Sequence, residues 1–153
     1  MQPEQILERA RGRRVLVVGD LMLDDYIWGT AERISPEAPV PVVRYERRTS
    51  GPGGAANVVS NVHSLGGEPI VCGVVGNDEG GRALRARLEQ LSTDVRGIVV
   101  DPQRVTTQKT RVIAHQQQVV RIDFETTEPV TVELAERMLE FVRSIIASVE
   151  VVV

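Results

Sequence analysis

The run Ser50-Gly51-Pro52-Gly53-Gly54-Ala55-Ala56-Asn57 leads from a strand-like segment straight into a helix-like one. Adjacent glycines admit backbone angles closed to other residues and let a ligand approach the main chain, while Pro52 stiffens the approach. A helix begins there. Its free N–H groups and dipole favour anions or sugar hydroxyls, and the Asn57 amide on the first turn both donates and accepts. The run reads either as a small-ligand cradle or as a glycine-rich turn before a helix.

The surrounding pattern is that of an α/β protein. Arg14 to Val18 is an apolar run ending in Gly19-Asp20, the pattern of a central parallel strand that delivers polar residues at its tip, where ligands bind. Tyr26 to Gly29 and Val40 to Arg48 alternate polar and apolar residues, and Pro36, Pro39 and Pro41 confine them to sheet edges. Val42, Arg44, Glu46 and Arg48 are expected on one face, with Val43, Tyr45 and Arg47 on the other. Ala55 to Leu65 reads as a helix closed by Gly66-Gly67, followed by a strand from Ile70 to Val75. Gly76 to Gly81 is a second glycine-rich turn, and Arg82 to Leu91 is a helix with Leu84, Leu88 and Leu91 on one face. Gly97 to Val100, Val105 to Ala114 and Val119 to Phe124 follow as strands, the last two forming a hairpin near His115 to Gln118. Thr131 to Ile146 is a helix with Thr131 as its cap. Val149 to Val153 resembles a buried parallel strand that needs neighbours on both sides, so the chain is expected to be a fragment. The order βαβα with antiparallel insertions predicts an α/β core sheet carrying a smaller accessory sheet.

Composition narrows the class. Over 153 residues the net charge is −3 with both signs interleaved, which disfavours nucleic acid as a partner. Arg9, Arg11, Arg13 and Arg14, with Glu4 and Glu8 on a short helix from Gln2 to Arg11, read as a solvated face. No secretory h-region follows Met1, and no apolar stretch reaches the ~18 residues that span a bilayer, so the expected location is the cytoplasm with no membrane contact. Cys72 is the sole cysteine and lies in an apolar strand, which predicts a buried inert thiol and no disulfide or thiolate cluster.

The polar side chains at strand tips and glycine turns are Asp20, Asp24, Asp25, Asn57, Asn77 and Asp78. Carboxylates and amides there suit polyols, whose hydroxyls donate to one and accept from the other. Each aspartate also reads as a turn or cap. The residues after the first strand lack the three spaced glycines of a dinucleotide site, and there is no phosphate-binding P-loop or serine-nucleophile elbow. His63 and His115 lack partners at metal spacing. Lys109, Arg111 and Arg121 lie on the predicted hairpin, where they either clamp an anion such as a sugar phosphate or remain solvated.

Taken together, these segments resemble the ribokinase-like, PfkB-type family of carbohydrate kinases. Gly53-Gly54, Asn57, Gly66 and Gly76 fit the spacing of its first signature; Val59 departs from it, where the family carries Ala, Ser or Thr. Within the family the chain is most similar to the D-glycero-β-D-manno-heptose 7-phosphate kinases, which also occur as the N-terminal part of bifunctional enzymes. That likeness rests on Val17 to Asp24, on Arg33 to Val43 and on Gln117 to Glu125.

The resemblance implies a three-layer α/β/α core with a small β-sheet lid. Residues 1–153 would be the N-terminal half of one kinase domain, with lid segments at approximately 26–48 and 105–124 and a homodimer formed through the lid. Asp24, Gly53, Gly54 and Asn57 would hold sugar hydroxyls, Asp20 would assist, and Lys109, Arg111 or Arg121 would hold the 7-phosphate. ATP with Mg²⁺ would phosphorylate the anomeric O1 to give the 1,7-bisphosphate, in the synthesis of ADP-heptose for lipopolysaccharide core. The family's Gly-Ala-Gly-Asp motif, source of the catalytic base and anion hole, is absent from these residues, as are most ATP contacts. No catalytic residue and no metal ligand is therefore expected here, and the chain alone should be inactive. Two alternatives stay open: a kinase for another sugar, such as ribose, fructose or a ketodeoxy acid, and a non-catalytic sugar-binding or dimerisation module.

Overall fold

A computed structural model describes residues 3–153. The helix α1 spans Pro3–Ala10; Gln2, expected to open it, lies outside the described residues. The strands β1 (Arg14–Val18), β4 (Glu68–Gly76), β5 (Asp94–Asp101) and β8 (Val151–Val152) form a parallel sheet in the order β5-β4-β1-β8. Helices α2 (Ala55–Ser64), α3 (Glu79–Gln90) and α4 (Val132–Ile145) cover it, and strands β2 (Leu21–Ile34), β3 (Pro41–Gly54), β6 (Thr107–Ala114) and β7 (Gln117–Phe124) make a second sheet.

The core sheet is apolar on both faces because adjacent β1 residues point to opposite sides. Val17 and Val71 meet Ala56 and Val59 of α2 and Leu84 and Leu88 of α3. Leu16, Ile70 and Cys72 meet Ile145, with Met138 and Phe141 of α4 packed against them. The result is three layers, each fully buried Leu or Val contributing roughly 1.5–3 kcal/mol. Gly97 is required by this packing: a Cβ there would come within 2.3 Å of the edge of the Phe141 ring. Cys72 is fully buried, and burial raises its thiol pKa, as an inert core cysteine requires.

Local signals account for the helix ends. Asp78 caps α3 by accepting from the Gly81 N–H at 2.8 Å, so this helix starts at Glu79, three residues before the position expected from its leucines. Thr131 caps α4 as expected, accepting from the Leu134 N–H. β8 pairs with β1 on one side, Val151 opposite Val15. The basic N-terminal cluster is not wholly solvated: the Arg14 N–H donates to Glu150 at 2.7 Å and Arg13 pairs with the same carboxylate, which ties β1 to the residue before β8.

The second sheet runs β3-β2-β6-β7, with β2 and β6 parallel and the outer pairs antiparallel. It is larger than expected. β2 and β3 are 14 residues each and extend back to the core, so Leu21 to Asp24 pair with Gly51 to Gly54. The glycine run is thus the end of an edge strand rather than a loop. β3 does lie at the edge, with Pro41 as its first residue, whereas Tyr26 to Gly29, also expected at an edge, belong to β2, which is paired on both sides. A bulge opposite Trp28 and Gly29 leaves Glu46 without a partner, so strict alternation fails and Arg48 shares its face with Tyr45, not with Arg44 and Glu46. His115 and Gln116 turn the β6–β7 hairpin with φ of 50° and 65°, the left-handed pair that a two-residue turn demands.

Candidate functional site

Register places the side chains of Met22, Asp24, Tyr26 and Trp28 on one face of this sheet, together with Gly53, Thr107, Lys109, Arg111, Arg121 and Asp123. The lower part of that face overhangs a cleft of about 770 Å³ lined by Gly19, Asp20 and Met22, by Val74 and Val75 at the tip of β4, and by Thr107 and Lys109. Asp20 and Lys109 are the expected site residues that line this cleft. Asp24, Gly53, Gly54, Asn57, Arg111 and Arg121 lie outside its lining.

The glycines are placed by the chain's own crowding. The Asp20 carbonyl accepts from the Ala55 N–H at 2.9 Å, fastening the start of α2 to the end of β1. A Cβ on Gly54, whose φ is +54°, would strike that carbonyl and approach the Met22 side chain to 2.8 Å. A Cβ on Gly53 would come within 2.8 Å of the Asp24 carboxyl carbon, so glycine leaves the room that this carboxylate occupies. α2 has no capping side chain. Asn57, on its first turn, is exposed and its amide makes no hydrogen bond among the described residues, as is true of the Asp20 carboxylate. These groups can bind hydroxyl oxygens through open N–H groups and amide donors.

The cations are not free. Arg111 donates to Asp24 at 2.5 Å, and that hydrogen bond raises its pKa further. Lys109 lies 3.2 Å from Asp123 and 3.4 Å from Glu125. Arg121 forks onto both oxygens of Asp123 at 2.8 and 2.9 Å. The Arg121 hydrogen bonds, against a smaller opposing effect of burial and with help from Lys109, hold the Asp123 carboxyl below the usual carboxylate range. A phosphate at any of the three has to displace or share a carboxylate. The carboxylates Asp123 and Glu125 were not foreseen as part of this face, although the spacing Arg121-x-Asp123 on a strand places both on the same side.

Asp78 and Asp25 sit elsewhere. Asp78 also accepts from the Thr106 N–H at 2.7 Å and the Thr106 hydroxyl at 2.6 Å, leaving it a structural cap. Burial pushes its carboxyl up, but these bonds and that from Gly81 together hold it below its ordinary value. Asp25 faces the opposite side of the lid at 1% exposure, where one oxygen accepts from Arg48 and Gln108 and the other has no partner. His115 rests against the Ala31 main chain. Among the described residues no three His, Cys, Asp or Glu side chains converge to hold a metal ion. With Lys109 committed to carboxylates and Arg104 to the main-chain carbonyls of Thr126, Glu128 and Pro129, the described lining of the cleft offers a nucleoside triphosphate no uncommitted cation.

Residues 13–153 match the model of the pfkB family carbohydrate kinases. The chain is 50% identical over 139 residues to the bifunctional protein HldE of Geotalea uraniireducens, covering 91% of this chain and 28% of that protein. It is 45% identical to HldE of Citrifermentans bemidjiense over 98% of this chain and 31% of the other. The chain therefore spans less than a third of these relatives. Among solved structures, a putative ribokinase from Agrobacterium tumefaciens matches 80% of this chain and 41% of its own length, at 25% identity and TM-score 0.61. A putative sugar kinase from Clostridium perfringens matches 84% of this chain and 40% of its own, at 16% identity and TM-score 0.68, a likeness of fold. The three-layer core, the accessory sheet above its strand tips and the family match agree: this chain belongs to the pfkB family of carbohydrate kinases, with the ribokinase-like fold.

Proposed function

We propose that these residues are the acceptor-sugar side of an ATP-dependent kinase that phosphorylates D-glycero-β-D-manno-heptose 7-phosphate at O1. The observation that carries the reading is Asp24, its carboxylate held by Arg111 in the space that Gly53 leaves, on the face overhanging the cleft. The identity to HldE proteins and the three sequence segments quoted above support heptose 7-phosphate over other sugars. Asp24 and Asn57 accept and donate to sugar hydroxyls, Asp20 assists at the cleft, and Gly53 and Gly54 allow close approach. Lys109, Arg111 and Arg121 surround the site as candidate partners of an anionic group.

ATP and Mg²⁺ would supply the phosphoryl group and screen its charge, held by residues outside this chain; these residues bind and orient the acceptor. No helix among the described residues is long and apolar enough to cross a membrane, in keeping with a proposed cytoplasmic enzyme of ADP-heptose synthesis. Calorimetric titration of the chain tests the reading. Heptose 7-phosphate should bind more tightly than ribose or fructose 6-phosphate, and Asp24→Asn should weaken it about tenfold or more. Equal binding of all three sugars would remove the heptose assignment. In a coupled assay with ATP, the 153-residue chain should show no turnover above background, and measurable turnover would refute its dependence on residues elsewhere.

A further inference from the structure

The face that carries Asp24 continues beyond it toward the tip of the lid as a ladder of rings and cations. Arg111, bonded to Asp24, lies over the Tyr26 ring at 5.4 Å from its centroid. Tyr26 stacks on Trp28, with centroids 6.1 Å apart and planes inclined by 24°. The Arg47 guanidinium lies over Trp28 at 4.3 Å, and the Trp28 indole N–H donates to Thr49 at 3.0 Å, which fixes the ring. Six cations share this face, and four are committed to carboxylates: Arg111 to Asp24, Lys109 and Arg121 to Asp123, and Arg44 to Glu32, while Arg33, beyond Arg44 at the far end of β2, and Arg47 are not. Of these two, Arg47 has a ring beneath it. Its donors make no hydrogen bond among the described residues, yet stacking holds its plane in place.

We propose that Arg47, oriented by Trp28, binds the phosphate monoester at the far end of the acceptor sugar and so makes the site selective for a phosphorylated substrate. This rests on the reading of Asp24 as a sugar ligand. A phosphate is recognised best by a planar guanidinium with free N–H groups, and Arg47 offers them on this face without first giving up a carboxylate and already oriented by a ring. The anchors Asp24 and Trp28 are four residues apart on β2, about 13 Å at roughly 3.3 Å per residue. Tyr26 floors the gap between them. Asp24 then holds the sugar, with the phosphate toward the lid tip.

Calorimetric titration of the 153-residue chain with heptose 7-phosphate and with unphosphorylated heptose tests this, since Trp28 is the chain's sole tryptophan and its emission reports the Arg47 contact locally. The wild-type chain should prefer the phosphate, with a change in Trp28 emission on binding. Arg47→Gln should cost the 7-phosphate at least tenfold, about 1.4 kcal/mol, leave heptose binding unchanged and abolish the preference. Asp24→Asn should weaken both ligands. If Arg47→Gln binds the 7-phosphate as the wild type does, or if the preference moves with Lys109→Gln instead, the inference is overturned while the sugar site stands. Equal affinity of the wild type for both ligands has the same result. If the wild-type chain binds neither ligand, the sugar-site reading fails and this inference with it.

Discussion

At the scale of single residues, glycine and aspartate act here as a fitted pair. Gly53 is not required for flexibility; it is buried, lies in a strand, and is small because the Asp24 carboxylate fills the place of its side chain. Gly53→Ala should therefore displace Asp24 from Arg111 and cost about 1–3 kcal/mol through overpacking, read as a lower midpoint in urea, with sugar binding weakened in parallel. Unchanged stability and binding would show that the carboxylate is not seated as described. Asp78 makes the opposite point. It stands in a glycine-rich turn that reads equally well as a ligand loop, but its three hydrogen bonds to Gly81 and Thr106 spend it on holding α3 against the start of β6. No property of the residue type separates Asp24 from Asp78; the neighbours do.

At the scale of elements, the lid sheet is held on one face by ion pairs, and these set its response to acid. Asp123 joins Arg121 and Lys109, and its carboxyl titrates below the usual carboxylate range in the folded state. A group with a depressed folded pKa contributes stability that is present above its unfolded value, about 3.9 for Asp, and is lost as pH falls through the lower folded value. The β6–β7 hairpin should accordingly loosen below about pH 4, and Asp123→Asn should remove that step from the acid unfolding curve while lowering stability at neutral pH. Amide exchange in β7 across pH 3 to 6 checks both. Most elements were legible beforehand because their apolar periods and caps are local: β1, β4, α2, α4 and the hairpin stand close to where their patterns place them. The length of β2 was not. Leu21 to Asp25 looks like a loop with two carboxylates, and it becomes strand because β3 and β6 pair with it on both sides. The face exchange at Glu46 was hidden for the same reason, since a bulge is a property of two strands in register.

At the scale of the whole molecule, the lid presents an apolar face away from Asp24. Val120, Ile122 and Phe124 alternate along β7 at 46%, 44% and 52% exposure, which suits the homodimer proposed through the lid. Sedimentation should show a concentration-dependent dimer that Ile122→Lys converts to monomer without loss of helix content; a wild-type chain that stays monomeric at high concentration would exclude this surface. The chain's residues alone determine the α/β class, the buried strands, the helix caps and the candidate polar groups, because burial patterns and capping need only near neighbours in sequence. Tertiary structure decides the rest. Asp24 meets Arg111 across 87 residues of sequence, Arg121 and Lys109 turn out to be spent on Asp123, and Arg47 is left as the uncommitted cation over Trp28. Whether a charge is available depends on which opposite charge lies within a few ångströms, and that distance exists only after β2, β3, β6 and β7 have paired.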